Sequence, residues 1–304
     1  MSIFKHSISP DFIEQLKQEA ARGGWWADAL ADPKLFIALR GSSLNVYYRG
    51  MSLFLVREGS PRLTVTTHEK YLVDPALASQ VPLINGNFDV ASLVKNGFIR
   101  HYEGPATLAK MRTAAGLFSK LEKTGCHEIA VGNPSVIDCE IAFPGSVSPG
   151  DGGAKNGAPR ADLASLERDD NDVRLVFWEA KDYGNGELRA AGKDVPVCHQ
   201  IEVYRKYLSD PRNSTAIEKD YKRVAKNLVE IQEKMGWPRP LSPLIKAFAD
   251  QTRLTLGAEP KVGLIIFGFN VGARNDPGWQ KHLQRLKANI PHVIAVGDAT
   301  KIRI

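Results

Sequence analysis

The stretch Val173-Arg174-Leu175-Val176-Phe177-Trp178-Glu179-Ala180-Lys181 decides the fold, because an apolar, β-prone run ends in a carboxylate and an ammonium group. Glu179 and Lys181 are two positions apart, so an extended chain places both side chains on one face of a sheet and Ala180 on the other. Asp162 lies in the preceding β-prone segment, which a short polar turn connects to this run. The two segments are therefore predicted to pair antiparallel, as a hairpin that brings Asp162 close to Glu179.

The register of this hairpin decides how close the two carboxylates come. Counting inward from the polar turn sets Leu166 opposite Val173. Asp162 then falls opposite position 177 or 178, within reach of Glu179 if the strands contain a bulge.

Apolar periodicity elsewhere predicts an α/β (α+β) protein whose mixed sheet is flanked by helices. Further strands are expected at 35–40, 44–49, 52–56, 63–67, 135–143, 262–268 and 292–296, and helices at 11–22, 197–208, around 217–231 and from 277. One helix of about 18 residues is expected from Pro105, with an apolar stripe that packs on the sheet. Its stripe is Leu108, Met111, Ala115, Phe118 and Leu121. The first four strands form a meander, which indicates an N-terminal α+β accessory module at 1–104 ahead of a larger domain at 105–304.

Composition is that of a globular protein, with 304 residues, 43% hydrophobic and 24% charged side chains. The longest uncharged apolar run, 262–267, is far shorter than the roughly 20 residues that span a bilayer, so no membrane span is expected. The first residues show no charged-then-apolar signal pattern, and three cysteines without metal-ligand spacing indicate a reduced environment. These features predict a cytoplasmic protein.

Charge is unevenly distributed along the chain. Residues 205–304 contain 18 Lys and Arg against 9 Asp and Glu, or +9, and the total is +6, so residues 1–204 carry 6 − 9 = −3. A basic surplus downstream of acidic residues suits a polyanion that passes a metal site, because cationic side chains release counterions from phosphates. The alternative is that four of these cations form the solvated face of one helix. They are Lys219, Lys222, Arg223 and Lys226.

The acidic residues and the lysine suit phosphodiester hydrolysis. Mg²⁺ prefers oxygen ligands and keeps several waters, so Asp162, Glu179 and the carbonyl group of Ala180 are sufficient protein ligands. Lys181 is expected to position or deprotonate the attacking water and to counter charge on the phosphorus.

The order of these residues resembles the PD-(D/E)XK nuclease superfamily, in particular its RecB-like and lambda-exonuclease-like branch. Asp162 and Glu179-Ala180-Lys181 match the acidic and lysine motif, and Gln200 and Tyr204 match the helical Gln-hydrophobic-x-x-Tyr motif. Pro159 stands three positions before Asp162 rather than adjacent to it. The resemblance covers about residues 105–210.

This resemblance implies a restriction-endonuclease-like fold, a helix followed by a three-stranded meander, a second helix and a further strand. It also implies Mg²⁺ or Mn²⁺ at the acidic pair and a substrate-orienting role for Gln200 and Tyr204. A further glutamate of the site is either Glu122 or Glu140, and Lys193 is expected to contact the nucleic-acid backbone.

The expected function is therefore a metal-dependent nuclease acting on nucleic acid, with DNA favoured, in defence or repair. The N-terminal module is expected to recruit substrate, a protein partner or a second copy. One alternative is a nucleic-acid-binding protein that has the fold without the reaction. Another is a small-molecule α/β enzyme in which the carboxylates perform acid-base chemistry.

Overall fold

Two β-sheets form the framework of the chain. The computed structural model describes residues 4–77, 81, 83–88, 97–143, 160–170, 172–189, 195–250, 254–257 and 259–304. The first sheet is an antiparallel meander in the order β1-β2-β3-β4. Its strands are β1 (Phe36–Leu39), β2 (Ser43–Tyr48), β3 (Met51–Arg57) and β4 (Thr64–Thr66). A short hairpin follows, formed by β5 (Leu83–Ile84) and β6 (Asn87–Phe88). The predicted meander of four strands is confirmed.

The second sheet is mixed and has the order β12-β11-β9-β8-β7, with β10 pairing with the first residues of β9. Its strands are β7 (Val136–Ala142), β8 (Arg160–Asp169), β9 (Asp172–Asp182), β10 (Leu254–Thr255), β11 (Val262–Phe267) and β12 (Val293–Ala295). The β7-β8-β9 segment is antiparallel, whereas β9, β11 and β12 run parallel. Helices cover both faces of β9, which explains its nearly continuous apolar sequence.

Helices connect the parallel strands and flank both sheets, so the α/β class is confirmed. They are α1 (Pro10–Arg22), α2 (Trp25–Ala31), α3 (Pro105–Gly116), α4 (Leu121–Gly132), α5 (Pro196–Ser209), α6 (Pro211–Met235), α7 (Pro243–Asp250), α8 (Val271–Asn275) and α9 (Pro277–Asn289). Short 3-10 turns occur at Glu69–Tyr71, Gly186–Leu188 and Ala299–Lys301. In the ranges given above, no helix combines the length and the apolar composition needed to cross a bilayer.

The β8-β9 hairpin is tighter than expected, and the predicted register was wrong by one to two positions. Leu166 pairs with Leu175, and pairing continues up to Asp169 and Asp172 at the turn. Asp170 adopts a left-handed φ of 52°, which an aspartate tolerates and which a tight turn requires. The correct register moves Asp162 closer to its partner, since Leu163 pairs with Trp178 and the next position is Glu179.

The predicted 18-residue helix is two helices, because the chain leaves helical geometry after α3 and resumes at α4. The Ser119 hydroxyl group donates to the carbonyl oxygen of Arg49 at 2.6 Å, which ties this break to the turn between β2 and β3. Leu117, Phe118 and Leu121 are 76%, 49% and 76% exposed. The expectation that Phe118 and Leu121 pack on the sheet was therefore wrong.

Buried polar contacts attach the first 104 residues to the rest of the chain. Asp138 of β7 is 1% exposed and lies 2.6 Å from His6 Nδ1 and 2.7 Å from Arg40 Nη1. The Tyr221 hydroxyl group of α6 donates to the same carboxylate at 3.0 Å. Burial alone would raise the pKa of Asp138, but the charges of Arg40 and His6 outweigh it and lower the pKa. One hydrophobic core contains residues from both 1–104 and 105–304, and the division at 104 stays a prediction.

The tryptophans of the N-terminal part belong largely to its core. Trp26 is fully buried, and Trp25 packs against it and against Phe54 at ring-centroid distances of 5.5 and 5.1 Å. The two rings therefore stabilise the core of this part of the chain.

Candidate metal-binding and catalytic site

Asp162 and Glu179 lie opposite each other on the adjacent strands β8 and β9. The N–H group of Ala180 donates to Asp162 Oδ2 at 2.8 Å, which fixes the orientation of this carboxylate. Glu179 is 2% exposed. The hairpin thus converts two residues 17 positions apart in sequence into neighbours, as the alternation of the strands predicts.

Both carboxyl groups are electrostatically destabilised as anions. Burial and then the charge of Glu179 raise the pKa of Asp162 well above its usual value. Burial also raises the pKa of Glu179, although Lys181 and Tyr204 partly oppose this shift. Two carboxylates that repel each other, one buried and one half-buried, are the arrangement that a bound cation relieves.

Lys181 is held between two carboxylates. Its Nζ lies 2.7 Å from Glu179 Oε1 and 2.7 Å from Glu187 Oε2. Burial by itself would lower the pKa of Lys181, but these two partners outweigh it and the net shift is upward. Lys181 is therefore a cation at neutral pH, which suits stabilisation of negative charge better than removal of a proton from water.

Glu187 was not predicted as part of the site. It lies in the 3-10 turn Gly186–Leu188, where its N–H group donates to Asn185 Oδ1 at 2.8 Å. The sequence contains a signal for this turn, since an asparagine cap begins it. Glu187 lies six residues after Lys181, and the geometry of the turn decides that it becomes the ion-pair partner of Lys181. The sequence does not give that geometry.

Gln200 and Tyr204 lie on one face of α5 and reach the site together. The Gln200 amide donates to the Tyr204 hydroxyl group at 2.8 Å. That hydroxyl group lies 2.9 Å from Glu179 Oε2 and also contacts the carbonyl oxygen of Arg160. Burial and the neighbouring Glu179 raise the pKa of Tyr204, so it stays a neutral donor. The spacing of four residues predicted this shared face, and the contact to Glu179 connects it to the carboxylate pair.

Glu140 and Glu122 both act electrostatically on the site. Glu140 lies at the β7 position across from Asp162, has a left-handed φ of 53°, and its charge contributes to the raised pKa of Asp162. Glu122, in the first turn of α4, accepts a hydrogen bond from Asn185 Nδ2 at 2.6 Å, and its charge contributes to the raised pKa of Glu179. The choice between them as a further member of the site stays open.

The residues present fit a hard divalent cation in part. Within the described ranges, no three His, Cys, Asp or Glu side chains form a complete metal cluster. Mg²⁺ needs few protein ligands, however, because it keeps several waters. Asp162 and Glu179 supply oxygen donors of the right kind, and the carbonyl group of Ala180 is the predicted third ligand. Glu179 must exchange its contact with Lys181 for one with the cation.

A cleft of about 830 Å³ opens beside this site. It is lined by Arg49, Gly116, Ser119, Lys120, Leu121, Glu122, Thr124, Asp182, Gly184 and Asn185. Asp182 directly follows Lys181, so the cleft reaches the end of β9 at which the candidate site lies. Lys193, the predicted backbone contact, lies outside the described residues.

The fold and the site define a mixed α/β protein in which the half-buried Asp162 of β8 lies beside the buried Glu179 and Lys181 of β9. No family model, no curated protein and no solved structure matches this chain. The functional assignment therefore depends on the geometry and electrostatics of these residues.

Proposed function

We propose that this protein is a metal-dependent phosphodiesterase that cleaves nucleic acid, with DNA as the favoured substrate. The observation that carries the proposal is the position of Asp162 opposite Glu179, with Lys181 2.7 Å from the Glu179 carboxylate. The sequence of elements α4, β7-β8-β9, α5 and β11 follows the order that the resemblance to PD-(D/E)XK nucleases implies. This order supports a restriction-endonuclease-like fold as part of the proposal.

Each side chain has a role that its contacts support. Mg²⁺ or Mn²⁺, held by Asp162 and Glu179, would supply Lewis-acid stabilisation of the phosphoryl oxygens. Lys181, as a buried cation, adds positive charge where negative charge develops on the phosphorus. Tyr204 and Gln200 hold the Glu179 carboxylate in place, and the Ala180 N–H group does the same for Asp162.

The charge distribution supports a polyanionic substrate. The surplus of +9 in residues 205–304 includes cations along α6. Lys219, Arg223 and Lys226 of this helix are exposed, while Ile217 and Tyr221 on its other face are buried. An exposed basic face favours a nucleic acid over a neutral small molecule.

The proposal is tested by replacing Asp162, Glu179 and Lys181 singly with alanine. Labelled single-stranded DNA, duplex DNA and RNA are incubated with each protein in Mg²⁺ and in Mn²⁺. We expect cleavage by the wild type and its loss in all three variants, with binding retained. Glu202→Ala and Lys206→Ala are matched controls, since both side chains are exposed on α5. Cleavage that persists in the three variants shows that these residues do not perform the reaction.

A second candidate function is nucleic-acid binding without hydrolysis. It is favoured by the contacts of Lys181, whose ion pairs with Glu179 and Glu187 occupy the position where a cation would approach. Salt-sensitive binding without turnover in either metal would support this second candidate.

A further inference from the structure

An exposed apolar patch lies where α3 ends and α4 begins. Leu117, Phe118 and Leu121 are 76%, 49% and 76% exposed, although they fall within five consecutive residues. Clustered exposed apolar side chains are uncommon on a protein surface and usually mark a binding site. We call Leu117, Phe118 and Leu121 the apolar patch.

The apolar patch borders the cleft beside the candidate site. Leu121 belongs to both, and the next residue, Glu122, lines the cleft and acts electrostatically on Glu179. The cleft is also lined by Asp182, the neighbour of Lys181 in β9. A chain molecule that contacts the patch can therefore continue through the cleft toward the carboxylate pair.

Cations surround the apolar patch. Arg49 and Lys120 are exposed and line the cleft, and Lys70 Nζ lies 5.0 Å from the centroid of the Phe118 ring. In the part of the chain that the structure describes, none of these three cations forms an ion pair with a carboxylate. The surface thus offers apolar area together with cations that form no ion pair, while Glu122 and Asp182 are the carboxylates that line the same cleft.

This combination matches one kind of ligand. An unpaired nucleic-acid strand presents flat apolar base faces next to phosphates, whereas the bases of a duplex are stacked on each other and hidden. The apolar face of a protein partner is a poorer match, because three cations would lose water without gaining a counter-charge.

We propose that the apolar patch and its cleft bind an unpaired stretch of a nucleic-acid strand, and thereby direct the chemistry toward single-stranded segments or frayed ends. The inference deepens the proposed function and rests on it. Phe118 stacks on a base, Leu117 and Leu121 contact neighbouring bases or sugars, and Arg49 and Lys120 contact phosphates.

The test measures binding to the full-length protein in EDTA, so that it does not depend on cleavage. Fluorescence anisotropy follows a labelled oligothymidylate and a labelled duplex of equal length. We expect Phe118→Ala to weaken oligothymidylate binding about tenfold, as loss of one stacked base does, and to leave duplex binding unchanged. Arg49→Ala and Lys120→Ala should each reduce the salt dependence of binding.

Val271→Ala is the matched control, since Val271 is 72% exposed on α8, and it should change neither ligand's affinity. Equal loss of affinity for both ligands in Phe118→Ala, or no loss at all, would overturn the inference. A third outcome concerns the double variant Leu117→Ser/Leu121→Ser. If its binding of both ligands is unchanged but its oligomeric mass is lower than that of the wild type, the patch is a contact between copies and the inference is overturned. Selective binding without cleavage by the wild type would refute the proposed nuclease activity and leave this inference standing.

Discussion

Replacing Asp162 with asparagine is expected to make the protein more stable and catalytically inactive. Burial and Glu179 raise the pKa of Asp162, so its ionised form destabilises the folded state at neutral pH. Asparagine removes the charge and keeps a side-chain oxygen that can accept the Ala180 N–H hydrogen bond. The proposed reaction needs the carboxylate, whereas stability does not.

The sign follows from the linkage between protonation and folding, because a carboxyl group whose pKa rises on folding costs stability where it is ionised. We expect Asp162→Asn to raise the free energy of unfolding at neutral pH by about 1 to 2 kcal/mol, the upper part of the range for a single stabilising substitution. The unfolding entropy of a 304-residue chain is about 0.6 kcal/mol per kelvin, so the midpoint should rise by about 2 to 3 °C.

The pH dependence has a definite sign. A carboxyl group with a raised pKa in the folded state destabilises the protein above that pKa, and the penalty disappears as the pH falls below the unfolded value. The stability difference between Asp162→Asn and the wild type should therefore be largest at neutral pH and vanish near about pH 4.

Differential scanning fluorimetry with and without Mg²⁺ measures both effects. Mg²⁺ should stabilise the wild type by about 2.7 kcal/mol at a hundredfold excess over its Kd, and should leave Asp162→Asn unchanged. The order of midpoints then reverses when Mg²⁺ is added. A variant that is less stable than the wild type without metal, at neutral pH, refutes the claim that this carboxylate is held at an electrostatic cost.

Three further substitutions test other parts of the structure. Asp138→Ala should lower the free energy of unfolding, measured by urea denaturation, by roughly 3 to 5 kcal/mol, because the largely buried Arg40 loses its carboxylate partner. An unchanged denaturation midpoint would contradict this. Gly125→Ala should lower the free energy of unfolding by about 1 to 3 kcal/mol, because a Cβ there would lie 2.1 Å from the Phe267 ring. A calorimetric unfolding midpoint equal to or higher than that of the wild type would exclude the clash. Tyr204→Phe should keep the fold and weaken Mg²⁺ affinity about 10- to 100-fold by titration calorimetry, and unaltered affinity would show that its hydroxyl group does not orient Glu179.

The convergence of the site residues could be predicted because it depends on local periodicity. Strand alternation brings Glu179 and Lys181 to one face, and helical spacing does the same for Gln200 and Tyr204. The register of the hairpin was missed, because a tight turn centred on Asp170 needs a left-handed φ that aspartate permits without requiring. The catalytic and binding roles of these residues remain predictions.

Long-range contacts and the end of α3 could not be predicted from the sequence. The partners of Asp138, namely Tyr221, Arg40 and His6, are 83, 98 and 132 residues away in the chain, so no spacing rule connects them. Phe118 and Leu121 continue the apolar period of α3, and only the tether from Ser119 to the β2-β3 turn shows that the helix stops before them. An apolar pattern alone does not distinguish a buried stripe from a binding surface.

The most direct test of the carboxylate pair as a cation site is an anomalous diffraction measurement on crystals soaked in Mn²⁺. The account predicts a peak about 2.1 Å from carboxylate oxygens of both Asp162 and Glu179, with Lys181 displaced from Glu179 but still within reach of the site. The account would be contradicted if crystals soaked in saturating Mn²⁺ showed no ion between these two residues and an intact ion pair of Lys181 with Glu179.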